Sequence, residues 1–302
     1  MVFALSVVIV ILLAANWFVL QDLVDIDSIE PLPSSPVADL NSVADRPLVR
    51  IGVISRFAPN VIYAGYQPIM DYLNHHGTNY YELMLSTSYQ DAVERLRAGD
   101  VAASFLGAWI YGHLEGETEL EPLVAPLNAA GRSEFHAVLV TEAESPIRTM
   151  ADLRGKTVAL PSPQSWSGNW LQTVGLSRFG LALADLDSVH HFDHHQTVAW
   201  QVLRGRFDAG VVKESVVASF RSEGLRELAR SGPIPGPPLA GSRRGPLEVL
   251  SEIRALLLAL DPDDPEDQAV LATWTPEFAY GFTAVNRQLY LHAFGAGQEV
   301  GQ

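Results

Sequence analysis

The stretch Thr157-Val158-Ala159-Leu160-Pro161-Ser162-Pro163-Gln164-Ser165-Trp166-Ser167-Gly168-Asn169-Trp170-Leu171 decides how this chain is read. Thr157 to Leu160 has the character of a short buried strand. Pro161 to Gly168 is a turn rich in Pro, Ser and Gly, and apolar residues at Trp170, Leu171, Val174 and Phe179 open an amphipathic helix. A helix start presents backbone N–H groups without intrahelical partners and a partial positive charge, so it can hold an anion. Ser165 and Ser167 add hydroxyl donors beside those amides, and Gly168 lets a ligand approach the backbone. The competing reading is that a serine here caps the helix and does nothing more.

Working outward, the 302 residues are enough for two lobes sharing a cleft, and 48% hydrophobic with 18% charged residues supports a packed core. The absence of cysteine excludes disulfides, thiolate zinc sites, cysteine catalysis and lipid attachment through an N-terminal cysteine. A formal net charge of −15 argues against a nucleic-acid surface. Such an acidic shell also repels small anions at long range, so an anion pocket in this chain is expected to work through local dipoles.

Residues 2–20 carry no charged side chain and are long enough to span a bilayer, while Asp22, Asp25, Asp27 and Glu30 follow directly. The expectation is a signal peptide or membrane anchor over residues 1–21 and a Pro- and Ser-containing tether over 22–46. Either way the folded part lies outside the cytoplasm.

Beyond the tether, the pattern predicts strands at Leu48 to Ile54, Tyr80 to Leu85 and Val101 to Leu106, with helices at Gly65 to His76 and Tyr89 to Ala98 between them. Strand character returns at Leu123 to Pro126 and Phe135 to Thr141. A short helix capped by Thr149 follows, then the central strand and turn. Next come a strand at Ser188 to Phe192, a helix at His194 to Arg204 and a strand at Phe207 to Val212. The Pro- and Gly-rich run Gly232 to Gly245 reads as a crossing segment, followed by helices at Pro246 to Leu260 and Pro265 to Thr273. Such alternation gives an α/β fold of two lobes, each a mostly parallel sheet flanked by helices. Residues 47–137 with 236–296 are assigned to one lobe and 138–235 to the other.

Two segments echo each other. Tyr89 lies ten residues before Gly99 and His195 ten before Gly205, each opening a helix whose glycine stop leads into a strand. Any helix–Gly–strand unit would look similar, but the echo also fits two lobes that each aim one hydrogen-bonding side chain into a shared cleft. His190, His191, His194 and His195 invite a metal reading, which the local pattern opposes. His190 and His191 alternate on a strand, and Asp193 with Gln196 fits a capping box that starts a helix between the pairs, so no i,i+4 ligand pair survives. His195 is instead a candidate anion donor.

Together these residues resemble the phosphate/phosphite/phosphonate-type solute-binding proteins of ABC importers, over residues 48–290. The resemblance runs through Leu48 to Val53, Gly65 to Leu73, Tyr89, Phe105 to Tyr111 and Asp152 to Ala159. Its most specific parts are the Ser165-Trp166-Ser167-Gly168 turn and His195 placed thirteen residues before Asp208-Ala209-Gly210. It implies a periplasmic-binding-protein type II fold closing on a small oxyanion, with Ser165, Trp166, Ser167, Gly168, His195 and Tyr89 around the ligand. Tyr66 and Glu214 join them as further candidates. It also implies an ABC permease as partner; the rival reading is an anchored ectodomain that presents its ligand state to a membrane sensor partner, and no cofactor or metal is expected.

Three departures are visible. Trp166 stands where the family has Thr, removing a hydroxyl and adding bulk over the anion. Ala102 replaces an acid, and Pro237 stands where aminophosphonate binders carry an acid for the ligand's amine. These changes argue against 2-aminoethylphosphonate. No Gly-x-Ser-x-Gly, His-Glu-x-x-His or Gly-x-x-x-x-Gly-Lys motif supports an enzyme.

Overall fold

The computed structural model describes residues 46–114 and 119–294. The expected signal or anchor at 1–21 and nearly all of the tether lie outside the described residues; among those described, no helix is long and apolar enough to cross a membrane. From Pro47 onward the described residues form one compact unit.

In chain order the elements are β1 (Leu48–Val53), α1 (Pro59–His76), β2 (Tyr80–Leu85), α2 (Tyr89–Ala98), β3 (Ala103–Phe105), α3 (Ala108–Gly112) and β4 (Leu120–Pro126). The chain then crosses through β5 (Glu134–Phe135) into β6 (Ala137–Glu142), β7 (Thr157–Leu160), α4 (Trp166–Trp170), β8 (Ser188–His191), α5 (His195–Leu203), β9 (Ala209–Lys213), α6 (Glu214–Phe220) and β10 (Leu225–Arg230). It returns through β11 (Ile234–Pro235) to β12 (Leu239–Ser242), α7 (Leu247–Ala259), α8 (Pro265–Leu271), β13 (Phe282–Ala284) and α9 (Arg287–Phe294).

Two sheets result, one ordered β13-β4-β12-β3-β1-β2 and the other β10-β6-β9-β7-β8. Both are mixed. In the first, β1 pairs in parallel with β2 and β3, while β12 runs antiparallel to both β3 and β4. In the second, β7 is parallel to β8 and β9, and β6 is antiparallel to β9 and β10. Four strands of each sheet therefore share a direction; β12 and β13 are reversed in the first and β6 in the second, and β12 and β6 are the strands that the crossings between lobes deliver. The two crossings meet in the antiparallel β5–β11 ladder, where Ile234 faces Phe135.

The sequence explains most of the elements. Val158, Ala159 and Leu160 are fully buried because β7 lies between two parallel neighbours, which demands a continuous apolar run. Helix α1 starts six residues earlier than its apolar spacing suggests. Pro59 occupies its first turn, where a missing N–H costs nothing, and Ile62, Tyr66, Ile69, Met70 and Leu73 form the buried stripe. Helix α2 is capped by Ser88, whose hydroxyl accepts from Asp91 N, and ends at Gly99 with φ +82°.

Two expectations need correction. The run Gly232 to Gly245 is more than a crossing, because Leu239–Ser242 is a central strand paired on both edges. The cap of α5 is His194 rather than Asp193, and no side chain caps that helix. His194 instead places Nδ1 3.1 Å from the Ser55 carbonyl of the other lobe, so the residue that precedes the helix makes an interlobe contact.

Candidate functional site

The parallel strands of both sheets point their carboxyl ends at the cleft, where α/β folds collect their ligands. Arg56 follows β1, the Ser165 turn follows β7, His195 follows β8, and Lys213 is the last residue of β9. Helix α2 brings Tyr89 from the first lobe. These residues line one small cavity of about 30 Å³, together with Ile54, Gly107 to Trp109, Phe135, Trp166, Ser167 and Pro237.

The 161–168 turn is held from within. Ser165 N and Ser165 Oγ both donate to the Ser162 carbonyl, at 3.0 and 2.9 Å, and the same Oγ accepts from Gly168 N at 3.1 Å. The Ser165 hydroxyl thus caps the helix, and Tyr89 of the opposite lobe lines the same cavity. The turn itself requires Gly168, since a Cβ there would sit 2.1 Å from the Ser162 carbonyl oxygen. Helix α4 has only five residues before it widens into a π turn at Leu171–Gly175, so its dipole is short.

The expectation that dipoles and uncharged groups would dominate is corrected by two cations. Arg56 and Lys213, 4% and 7% exposed, both reach Oε1 of Glu277, at 2.6 and 2.7 Å. Arg56 also donates to the Tyr66 hydroxyl at 2.5 Å. Burial would raise the Glu277 carboxyl, but the charges of Arg56 and Lys213 override it and hold its pKa at about 2. Burial would likewise lower Arg56, yet Glu277 outweighs it and its pKa is raised. Burial, helped by the Arg56 charge, lowers Lys213 despite the attraction of Glu277.

His195 is buried at 4% exposure, and burial, with Arg56 and Lys213 adding repulsion, depresses its pKa to about 3. The ring is therefore neutral near pH 7. Its Nδ1 accepts from Lys213 N at 3.2 Å, which puts the proton on Nε2 and makes that nitrogen a donor. Tyr89 is pushed above its ordinary value, first by burial, and stays a protonated donor. Two further buried N–H groups, Arg56 Nε and Trp166 Nε1, have no hydrogen-bond partner among the described residues.

Trp166 closes one side of the cavity. Its ring centroid lies 5.3 Å from Trp109 of α3 and 5.6 Å from Phe294 of α9, both in the opposite lobe. Each such aromatic pair contributes about 0.5–1.5 kcal/mol beyond its buried area. Lys213–Glu277 and the His194 contact to Ser55 add polar bonds between the lobes.

The structure thus brings Ser165, Trp166, Ser167, His195 and Tyr89 to one cavity, with Gly168 in the turn behind it. It leaves two candidates outside. Tyr66 lines an apolar groove of about 400 Å³ with Phe57, Phe220 and Phe278. Glu214 faces an adjoining chamber of about 340 Å³ beside the β5–β11 crossing, which shares Phe135, Lys213 and Pro237 with the cavity and where Glu214 pairs with Arg230 at 3.2 Å. Arg56, Lys213 and Glu277 were not anticipated. The available signal was a lysine ending the apolar strand Ala209–Val212 and an arginine just past β1, both at carboxyl ends of parallel strands.

Comparison with known proteins completes the picture. A binding protein component of an ABC phosphonate transporter from Pseudomonas aeruginosa superposes with a TM-score of 0.72 at 16% identity, covering 82% of this chain and 84% of that one. PhnD1 of Prochlorococcus marinus, solved in complex with methylphosphonate, gives 0.69 at 15% identity, with 81% and 95% covered. A Xanthomonas citri protein solved bound to ATP gives 0.63 at 21% identity, with 83% and 96% covered. At these identities the likeness establishes the two-lobe fold. Residues 51–290 match the family model described as ABC transporter, phosphonate, periplasmic substrate-binding protein, and this chain belongs to that family.

Proposed function

We propose that this protein captures a small oxyanion of the phosphonate, phosphite or phosphate type by closing lobe 1 (47–137 with 236–296) on lobe 2 (138–235), and presents it to an ABC permease. The observation that carries this reading is the donor character of the cavity. Its polar side chains are Arg56, Lys213, Tyr89, Ser165, Trp109, Trp166, Ser167 and His195, and no carboxylate lines it. A buried cluster of donors with unpaired N–H groups is costly when empty and is satisfied by an anion.

In this reading Ser167, His195 Nε2, Trp166 Nε1 and Arg56 Nε donate to the anion, Tyr89 donates from the opposite lobe, and Ser165 shapes the turn. Size supports a small ligand, because about 30 Å³ is a tenth of the smallest pockets that hold drug-sized molecules. Pro237 in the cavity wall, and a lining that contains no carboxylate to meet an amine, disfavour aminoalkyl phosphonates. Binding without turnover is the activity that this donor set supports. The apolar run 2–20 supports delivery across a membrane, whether it is then cleaved or kept as an anchor.

Isothermal titration of the full-length chain tests this. Methylphosphonate, phosphite or phosphate should bind with a Kd in the micromolar range or below, about −8 kcal/mol. The double variant Ser165→Ala/His195→Ala should lose at least about a hundredfold. No binding of any of these anions, or unchanged affinity in the double variant, would remove the proposal.

A further inference from the structure

We infer that the cleft selects singly charged oxyanions over dianions, because the chain carries its own counter-charge beside the site. This inference rests on the oxyanion reading above and specifies the charge state of the ligand.

Two cations reach the cavity wall, Arg56 from the β1–α1 connection and Lys213 from the end of β9. Behind them Glu277, from the segment between α8 and β13, accepts from both through the single oxygen Oε1. The other groups facing this cluster do not change its charge. Tyr66 of α1 and Tyr89 of α2 are raised, chiefly by burial, and stay protonated. His195 of α5 is neutral near pH 7, as derived above, and its neighbour His194 has Nδ1 against the Ser55 carbonyl. Glu214, which follows Lys213, is paired with Arg230 and faces the adjoining chamber. The cluster therefore carries one net positive charge.

Arg56, Lys213, Ser165, Ser167, Trp166, Tyr89 and His195 are each no more than 8% exposed. Solvent is thus poorly placed to screen any surplus charge. A monoanion brings the cluster to neutrality, whereas a dianion leaves one uncompensated negative charge in a desolvated cleft, which is the expensive case. Uncharged donors lower that cost without cancelling the charge. A monoanionic phosphonate or phosphite also carries one acidic O–H, and the oxygens of Ser167 and Tyr89 are available to accept it. Sulfate, a permanent dianion near neutral pH, offers neither property.

The test is titration of the full-length chain with phosphite and with sulfate across the second ionisation of phosphite. Phosphite affinity should fall about tenfold per pH unit once the monoanion becomes the minor form. Sulfate should bind at least about a hundredfold more weakly than phosphite on the acidic side. In Glu277→Gln, sulfate should gain at least about tenfold and the phosphite slope should flatten; should that variant fail to fold, the wild-type pH series decides alone. Phosphite affinity that holds level or rises through the ionisation, or sulfate binding as tight as phosphite, would overturn the inference while leaving the oxyanion reading intact. Silence from both phosphite and sulfate, together with methylphosphonate and phosphate, would overturn both.

Discussion

Replacing Glu277 by Gln should destabilise the protein by about 3–5 kcal/mol, the usual cost of removing one partner from a buried ion cluster. Arg56 and Lys213 would be left facing each other at 4% and 7% exposure with no carboxylate between them. The loss should appear as a lower denaturant midpoint with an unchanged m-value. Because Lys213 belongs to one lobe and Glu277 to the other, the variant should also shift the lobes towards an open arrangement, seen as a larger radius of gyration in solution scattering.

The effect has a pH signature. The folded pKa of Glu277, about 2, lies below its ordinary 4.5, so its contribution is complete above about 4.5 and disappears as pH falls towards 2. The stability gap between wild type and variant should therefore close in acid. A gap under about 1 kcal/mol at neutral pH would mean that the triad is not the interlobe bond described here.

The second large effect is expected from Gly168→Ala. The added Cβ would stand 2.1 Å from the Ser162 carbonyl oxygen and 2.8 Å from that of Pro161. Both obstacles are backbone, so the turn itself must move. That displacement would break the two bonds from Ser165 to the Ser162 carbonyl and reposition Ser165, Trp166 and Ser167 along the cavity wall.

Overpacking of this kind costs about 1–3 kcal/mol of stability. The affinity for methylphosphonate should fall about a hundredfold or more, roughly 2.7 kcal/mol, because small errors of placement are expensive in a preorganised site. Gly232→Ala is the matched control, since a methyl group there meets nothing within 4 Å. Equal affinities for the two variants would show that the turn does not shape the site.

Much of the architecture is local information and could be read along the chain. The strand Tyr80–Leu85, the helix Tyr89–Ala98 and the central strand Thr157–Leu160 carry their period, caps and flanking glycines within a few residues. The echo between Tyr89 and His195 marked two side chains that the fold brings to one cavity. Strand β12 was hidden because Gly241, Pro237 and Pro238 suggest a coil, and only its burial between β3 and β4 makes Leu239–Ser242 a strand.

The charged part of the site could not be read in the same way. Arg56 and Glu277 are separated by 221 positions, and neither stands in a motif. Their pairing exists only once α8 and its following segment return to the first lobe. The acidic net charge of −15 gave no sign of the two buried cations for a related reason, because a cleft responds to the few charges that line it more than to the screened exterior. Sequence also overstated the helix dipole, since the change to a π turn after five residues of α4 left no periodic trace.

The most direct measurement is a crystal structure of the full-length chain with methylphosphonate. The phosphonate should sit between Tyr89 and the Ser165–Ser167 turn, its oxygens within hydrogen-bond distance of Ser167 Oγ, Trp166 Nε1, His195 Nε2 and Arg56 Nε. A ligand found instead in the 340 Å³ chamber beside Glu214 or the 400 Å³ groove beside Tyr66 would contradict the account.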